Sequence, residues 1–492
     1  MNQEQHTKKH PNIIIMYADD LGFGDVGCYG AVDIETPNID RIASMGIKFT
    51  NAYSVAATCT PARYGLLTGA YPWRNKSAKI LPGDAPLIIE PGSLTIMSML
   101  QKAGYVTGVT GKWHLGLGMG NIDWNEEINP GPLELGFNYS FIMAATNDRV
   151  PCVYVDGRKV DKLSADDPIK VSYDKDNPIV GVPTGKDNPE LLRMKYSSGH
   201  DGSIINGVSR IGYMQGGASA IWKDEEMAEV FLNKSVSFIT ENAGNPFFLY
   251  YAFHQPHVPR LPGPRFAGKT KLGPRGDVIA EMDWCVGEIL KTLDKLNLTD
   301  NTLIIFTSDN GPVLDDGYED RAVELNNMHT PAGPYRGGKY SMYEGGVHVP
   351  FVLSWKGNVE QRESSALVSQ VDIFASLASL VGQPLPPDAA PDSFNILDAF
   401  IGKDEVGRYE LLTEGVTNKV VLHQGKWVYI PPYEGPKINK HCNIELGNSD
   451  EPQLYNIEDD ISQRLNVAGQ YSDVLNSMSK RLNVVLNSEA TR

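Results

Sequence analysis

Cys59-Thr60-Pro61-Ala62-Arg63 is the stretch whose residue types and spacing most directly imply chemistry. A proline two residues after the cysteine and an arginine four after it suit the opening of a helix, and Gly69 suits its end. Cys59 would then stand at a helix N-terminus, where free N–H groups and the dipole favour an anion, with Arg63 one turn on along the same face. Position alone favours a buried structural thiol, the commonest state of a free cysteine. What outweighs that is the polar residues that close other apolar runs. Asp19 and Asp20 follow one, Lys112 and His114 another, His254-Gln255-Pro256-His257 a third, and Asp309-Asn310 a fourth. Oxygen donors without thiolate or imidazole suit a hard cation, Ca²⁺ or, alternatively, Mg²⁺. The lysines, the histidines and Arg63 beside them would complement a tetrahedral oxyanion.

The elements that must position these residues are readable from hydrophobic pattern. Asn12–Ala18, Phe247–Phe253 and Thr302–Thr307 are apolar runs, as expected of strands buried on both faces of a parallel sheet, and Tyr105–Thr110 reads as a further short strand. Open α/β sheets bind ligands at the carboxyl ends of their strands, where all the polar residues named above fall. Helical patterns lie between them: from Pro37 to Met45 with Gly46 as the stop, Leu94–Ala103, Asp224–Glu241, Gly276–Leu296 and Val371–Val381, the last after a strand at His348–Ser354. The alternation predicts an α/β fold, a large, mostly parallel sheet sandwiched by helices. Residues 117–222 are rich in Gly, Pro, Asn and Asp and read as a loop-rich insertion on the ligand face. Near residue 405 the texture changes to short strands at 410–413, 420–423, 426–430 and 453–457, then a helix at 473–486. The expected division is a catalytic α/β unit over 11–404 and a C-terminal subdomain of antiparallel sheet plus helix over 405–492.

Composition narrows the partners. With a net charge of −16, nucleic acid is repelled at long range, and any anionic ligand needs a locally basic pocket. No apolar run is long enough to span a bilayer. Met1–His10 is polar and lacks the apolar core of a signal peptide, so a periplasmic or secreted location implies a leader removed from this chain. Five scattered cysteines form neither a zinc pattern nor a disulfide framework.

Cys59-Thr60-Pro61-Ala62-Arg63, continued by Leu67-Thr68-Gly69, resembles the signature of the type I, formylglycine-dependent sulfatases of the alkaline phosphatase superfamily. Gly111-Lys112-Trp113-His114-Leu115-Gly116 looks like that family's second signature. The aspartate pair, His254–His257, Ser308-Asp309-Asn310-Gly311 and Gly337-Gly338-Lys339 follow in the family's order. The resemblance covers essentially the whole chain, which also resembles bacterial carbohydrate sulfatases that degrade polysaccharides. It implies that a dedicated maturation enzyme oxidises Cys59 to Cα-formylglycine, whose hydrate attacks sulfur. It implies a cation held by Asp19, Asp20, Asp309, Asn310 and the matured Cys59, which neutralises the sulfate ester and lowers the pKa of a diol hydroxyl. Lys112 and Lys339 would hold the sulfate oxygens, His254 would protonate the leaving alcohol, and His114 would be the base that regenerates the aldehyde. Arg63 would hold the diol.

The expected substrate is a sulfated saccharide, attacked from its end, with the sulfate on O6 of galactose or N-acetylgalactosamine. Asp148, Arg149, His257, His329 and Arg336 are candidate contacts, and Trp113, Trp124, His200 and Arg260 are further ones. Four alternatives stand beside this reading: a broad arylsulfatase, a phosphonate or phosphate ester hydrolase of the same superfamily, a Cys–His thiol hydrolase, and a non-catalytic glycan binder with an unconverted Cys59.

Overall fold

The computed structural model describes residues 10–176, 178–416 and 418–492. All but His10 of the polar opening lies outside them. Ten strands form the main sheet: β1 Asn12–Ala18, β2 Gly46–Phe49, β3 Val106–Lys112, β4 Tyr139–Met143, β5 Tyr154–Asp156, β6 Lys159–Val160, β7 Phe247–Ala252, β8 Thr302–Ser308, β9 Phe351–Ser354 and β10 Arg362–Ser364. Their order across the sheet is β10-β2-β9-β8-β1-β7-β3-β4-β5-β6. The five central strands, β8-β1-β7-β3-β4, run parallel, and antiparallel pairs occur only toward the edges. All seven residues of β1 are buried, as are all of β7 and β8. This is why these strands read as unbroken apolar runs rather than as alternating ones.

Two groups of helices flank the sheet. α1 (Pro37–Ser44), α4 (Met227–Glu241) and α5 (Gly273–Lys295) pack together, and α2 (Cys59–Thr68), α3 (Ile96–Lys102) and the helix Ile373–Leu380 form the second group. α5 buries Ile279, Met282, Val286, Ile289, Leu290 and Leu293 along one stripe, the amphipathic face its spacing predicts.

Three expectations change. Gly46 does not merely stop α1: it opens β2, which pairs with β9. The strand expected over 348–354 is only Phe351–Ser354 and runs antiparallel, because His348 closes the short helical turn Glu344–Val347. The insertion is not all loop, since β4, β5 and β6 within it extend the main sheet.

Beyond the main sheet, Glu410–Glu414, Val420–Gln424, Trp427–Ile430 and Gln453–Asn456 form a four-stranded antiparallel sheet, followed by the helix Ser472–Leu486. This sheet is fastened to the segment leading into α2: Ala57 N–H donates to Glu414 O at 2.8 Å, and Glu414 N–H to Val55 O at 3.0 Å. Among the described residues no helix is long and apolar enough to cross a membrane.

Candidate active site

Four parallel strands deliver the site from their carboxyl ends. β1 ends into Asp19 and Asp20, β8 into Asp309 and Asn310, β3 in Lys112 with His114 just beyond, and β7 into the turn bearing His254 and His257. Adjacent register places Ala18 beside Ser308, so the two acidic pairs emerge side by side. Asp20 and His114 both take positive φ, 65° and 55°, which turns the chain sharply at each strand end.

Cys59 is the first residue of α2. Thr58 before it is extended, and Gly69 ends the helix in the left-handed conformation with φ 65°. The Cys59 sulfur lies 3.6 Å from Asp19 Oδ1 and 3.9 Å from Asp20 Oδ1. Arg63, one turn along and fully buried, donates from Nη2 and Nε to Asp309 Oδ2 at 2.8 and 3.2 Å. It also reaches Tyr250 Oη at 3.3 Å.

The carboxylates and cations interlock. Lys112 Nζ donates to both oxygens of Asp19 at 2.7 Å. Lys339 Nζ donates to Asp20 Oδ2 at 2.8 Å and to Asp316 Oδ2 at 2.7 Å. Asn310 Nδ2 donates to Asp20 Oδ1 at 2.8 Å. Burial pushes Asp19 up strongly, more than Lys112 and Arg63 bring it down. Asp20 is also pushed up by burial, but Lys339, Lys112 and two hydrogen bonds outweigh this and leave it below its usual value.

The donor set fits a hard cation. Ligand atoms of Asp19, Asp20, Asp309 and Cys59 all lie within 4.8 Å of one another in buried positions. Asn310 Oδ1, an oxygen of the same type, is buried without a hydrogen-bond partner. Three buried carboxylates and an amide oxygen converging in this way suit Ca²⁺ or Mg²⁺.

A cavity of about 110 Å³ opens on this cluster, walled by Cys59, His114, His257, Lys339, Asp148 and Arg149, with His200, Asp316, Tyr340, Ile80 and Ile211 completing it. His114 Nε2 donates to Leu81 O at 2.9 Å, so its Nδ1 carries the lone pair, and that nitrogen has no partner. Burial, then Lys112 and Arg149, hold His114 well below the usual histidine range, so it is neutral near pH 7. His257 Nδ1 donates to Val258 O at 2.6 Å, leaving Nε2 facing Asp20 Oδ2 at 3.8 Å. From the insertion, Asp148 accepts from His200 Nε2 at 2.9 Å and from Arg149 Nη1 at 2.8 Å. Thr146 also donates to Asp148.

Several anticipated residues lie elsewhere. His254 is buried off the cavity wall with its ring 6.0 Å from Phe231, and burial above all lowers its pKa to about 4. His329 accepts from Val32 N–H through Nδ1 and donates to Asp25 Oδ1 through Nε2 at 2.8 Å. Arg336 forks onto Glu445 at 2.8 and 2.6 Å. Arg260 spends its guanidinium on Asp320 and the carbonyls of Pro256, Val313 and Leu314. Trp113 is fully buried, its Nε1 donating to Gly116 O, and Trp124 belongs to the apolar core. Asp316 and Tyr340 are polar wall residues absent from the site expected from sequence, as are the apolar Ile80 and Ile211. Asp316 lies in a loop with no hydrophobic pattern to orient it.

The geometry counts against a Cys–His thiol hydrolase. Burial pushes the Cys59 thiol well above its ordinary range, so it is not a thiolate near neutrality. No carboxylate orients His114, whose Nε2 bonds a carbonyl instead.

The sulfatase family model matches residues 11–383. An N-acetylgalactosamine-6-O-sulfatase of Bacteroides thetaiotaomicron is 52% identical over 482 residues, covering 98% of this chain and 94% of that protein. Human steryl-sulfatase is 31% identical, with 83% of this chain and 73% of that protein covered. A solved Bacteroides thetaiotaomicron structure, described under the metabolism of multiple glycosaminoglycans, superposes with a TM-score of 0.96 at 51% identity, covering 97% of this chain and 99% of that one. A match over this much of the chain, together with the cluster just described, leads to one conclusion: the chain is a member of the sulfatase family, the hydrolases of sulfuric esters.

Proposed function

We propose that this sulfatase removes the 6-O-sulfate from a terminal N-acetylgalactosamine, or its galactose counterpart, of a sulfated saccharide. The observation that carries the reading is the 52% identity, across 98% of the chain, to a protein named for that activity. The cavity supports it. Lys339 lines it as a cation for a sulfate, and its wall holds Asp148, Arg149 and His200, a hydrogen-bonding group suited to sugar hydroxyls rather than to an aromatic ring.

Matured by a formylglycine-generating enzyme, Cys59 would supply a hydrated aldehyde as nucleophile, and a cation (Ca²⁺ or Mg²⁺) held by Asp19, Asp20, Asp309 and Asn310 would offset the charge on the ester. The remaining roles belong to side chains in place. Lys112 and Lys339 bind sulfate oxygens, and Arg63 braces Asp309 while holding the nucleophile's position at the foot of α2. Neutral His114, with its lone pair on Nδ1, takes the proton that releases sulfate.

The acid is His257 rather than His254, because His257 lines the cavity and presents Nε2 to it. Burial, then Lys339, hold its pKa well below the usual histidine range, so the free site leaves it neutral and it must gain its proton as substrate binds. Arrival of the negative ester favours the charged form. His254, Arg336 and His329 have no substrate role in this scheme. A periplasmic or extracellular location suits a polysaccharide-derived substrate.

The test is sulfate release from a panel of defined sulfated saccharides and aryl sulfates. The reading predicts highest kcat/KM on saccharides with a terminal 6-O-sulfated N-acetylgalactosamine or galactose. Activity confined to aryl esters would refute it.

A further inference from the structure

The catalytic cavity has a neighbour. Tyr340, which lines the first, also lines a second cavity of about 420 Å³ built by the C-terminal part of the chain. The two are held in register at the catalytic lysine. The hairpin formed by Ile438–Asn439 and Ile444–Glu445 is strapped to the Lys339 segment: Ser341 Oγ donates to Glu445 O at 2.6 Å, and Met342 N–H to Leu446 O at 3.1 Å. Tyr340 Oη donates to Asp316, the carboxylate that also accepts from Lys339. Tyr340 is thus a wall common to both cavities, which sets them next to each other.

The chemistry of the second cavity is cationic and partly apolar. Lys419, Lys440 and His441 line it, and among the described residues no carboxylate does. That is unusual in a chain of net charge −16. Among the described residues Lys419 Nζ donates to neutral acceptors, Glu434 O at 2.7 Å and Asn448 Oδ1 at 2.5 Å, and forms no ion pair. Lys440 and His441 are exposed and form no ion pair among the described residues. Met342 and Ile438 add apolar surface, Ile438 being 45% exposed. Uncompensated ammonium groups beside an aromatic ring and aliphatic surface suit a sugar that carries an acid: its C–H face lies on the apolar side chains and its anion meets the lysines.

We propose that this cavity is a subsite for the sugar joined to the sulfated one, and that it selects for an acidic group on that neighbour, a carboxylate or a second sulfate. The proposal rests on the saccharide reading above, and the test separates the two. Sulfate release is measured on the 6-O-sulfated monosaccharide and on three disaccharides that carry it linked to a neutral sugar, a uronic acid or a second sulfated sugar. The wild-type enzyme should show KM about tenfold lower on one or both acidic disaccharides than on the neutral one, the preferred arm identifying carboxylate or sulfate. Lys440→Glu and the double variant Lys440→Glu/His441→Ala, both at exposed positions, should erase that preference by raising KM on the acidic disaccharides with kcat little changed. Equal KM on all three disaccharides, or a preference that survives both variants, overturns the subsite. No release from any of the four saccharides would instead refute the saccharide reading.

Discussion

His254 and His257 lie three residues apart, and both are buried, yet only one lines the cavity. His257 Nε2 is 3.8 Å from Asp20, whereas His254 packs toward Phe231. The distinction has a kinetic signature. A sugar alkoxide is a poor leaving group and needs a proton, while a nitrophenolate does not. His257→Ala should therefore lower kcat/KM on the saccharide about a hundredfold or more and much less on nitrophenyl sulfate. His254→Ala should reduce both substrates by a similar, smaller factor through lost packing. A selective loss on the saccharide in His254→Ala would return the acid role to that residue. The sequence alone could not separate the two, because beyond a strand end the hydrophobic pattern stops and spacing no longer says which way a side chain turns. For Asp19, Lys112 and Asp309 it could, since each ends or directly follows a strand held in register on both sides. His329 and Arg336 share the failing of His254. Basic side chains in loops read as substrate contacts until the structure shows Asp25 and Glu445 already bonded to them.

At the scale of elements, the site depends on how closely the central strands approach. Gly111, the penultimate residue of β3, has φ +100°, and a Cβ built there would sit 1.8 Å from Ala252 O on the neighbouring β7. Both strain and collision forbid a side chain at this point, and Lys112 is the next residue. Gly111→Ala should cost about 3 kcal/mol or more of stability, read as a lower urea midpoint, and should reduce activity beyond the loss of folded protein. Unchanged stability would mean the strand ends are less constrained than the register implies. The helix Cys59–Thr68 could be read from its proline and its glycine stop. The antiparallel direction of β9 and the strands inside 117–222 could not, because edge strands are short and their pairing is set by distant partners rather than by a local period.

For the molecule as a whole, the balance is between a strongly negative chain and a substrate of the same sign. The chain resolves it locally: Lys339 and Arg149 line the catalytic cavity, and Lys112 and Arg63 are bonded to the carboxylates of the adjoining cluster. Elsewhere, buried ion pairs tie distant segments together. Asp25, after β1, is gripped by Arg275 of α5 at 2.7 and 2.6 Å and by His329 at 2.8 Å. Burial alone would raise Asp25, but Arg275 and the hydrogen bonds bring it down to about 2. A carboxylate whose folded pKa lies below its unfolded value stabilises the fold above the unfolded pKa, and that contribution is lost as pH falls through the folded one. The tie should therefore contribute roughly 2 kcal/mol at neutral pH and vanish between about pH 4 and pH 2. Urea unfolding of wild type and Asp25→Asn should show a gap that narrows across this window. A gap independent of pH would contradict the assignment.

The account turns on Cys59, whose buried thiol is a poor nucleophile but whose place at the foot of α2, beside three carboxylates, suits a converted residue. Mass spectrometry of the peptide containing Cys59, taken from protein active on a 6-O-sulfated sugar, tests this most directly. Conversion to formylglycine predicts a peptide about 18 Da lighter than the encoded sequence, in a fraction that tracks specific activity. Fully active protein carrying only the unmodified thiol would contradict it.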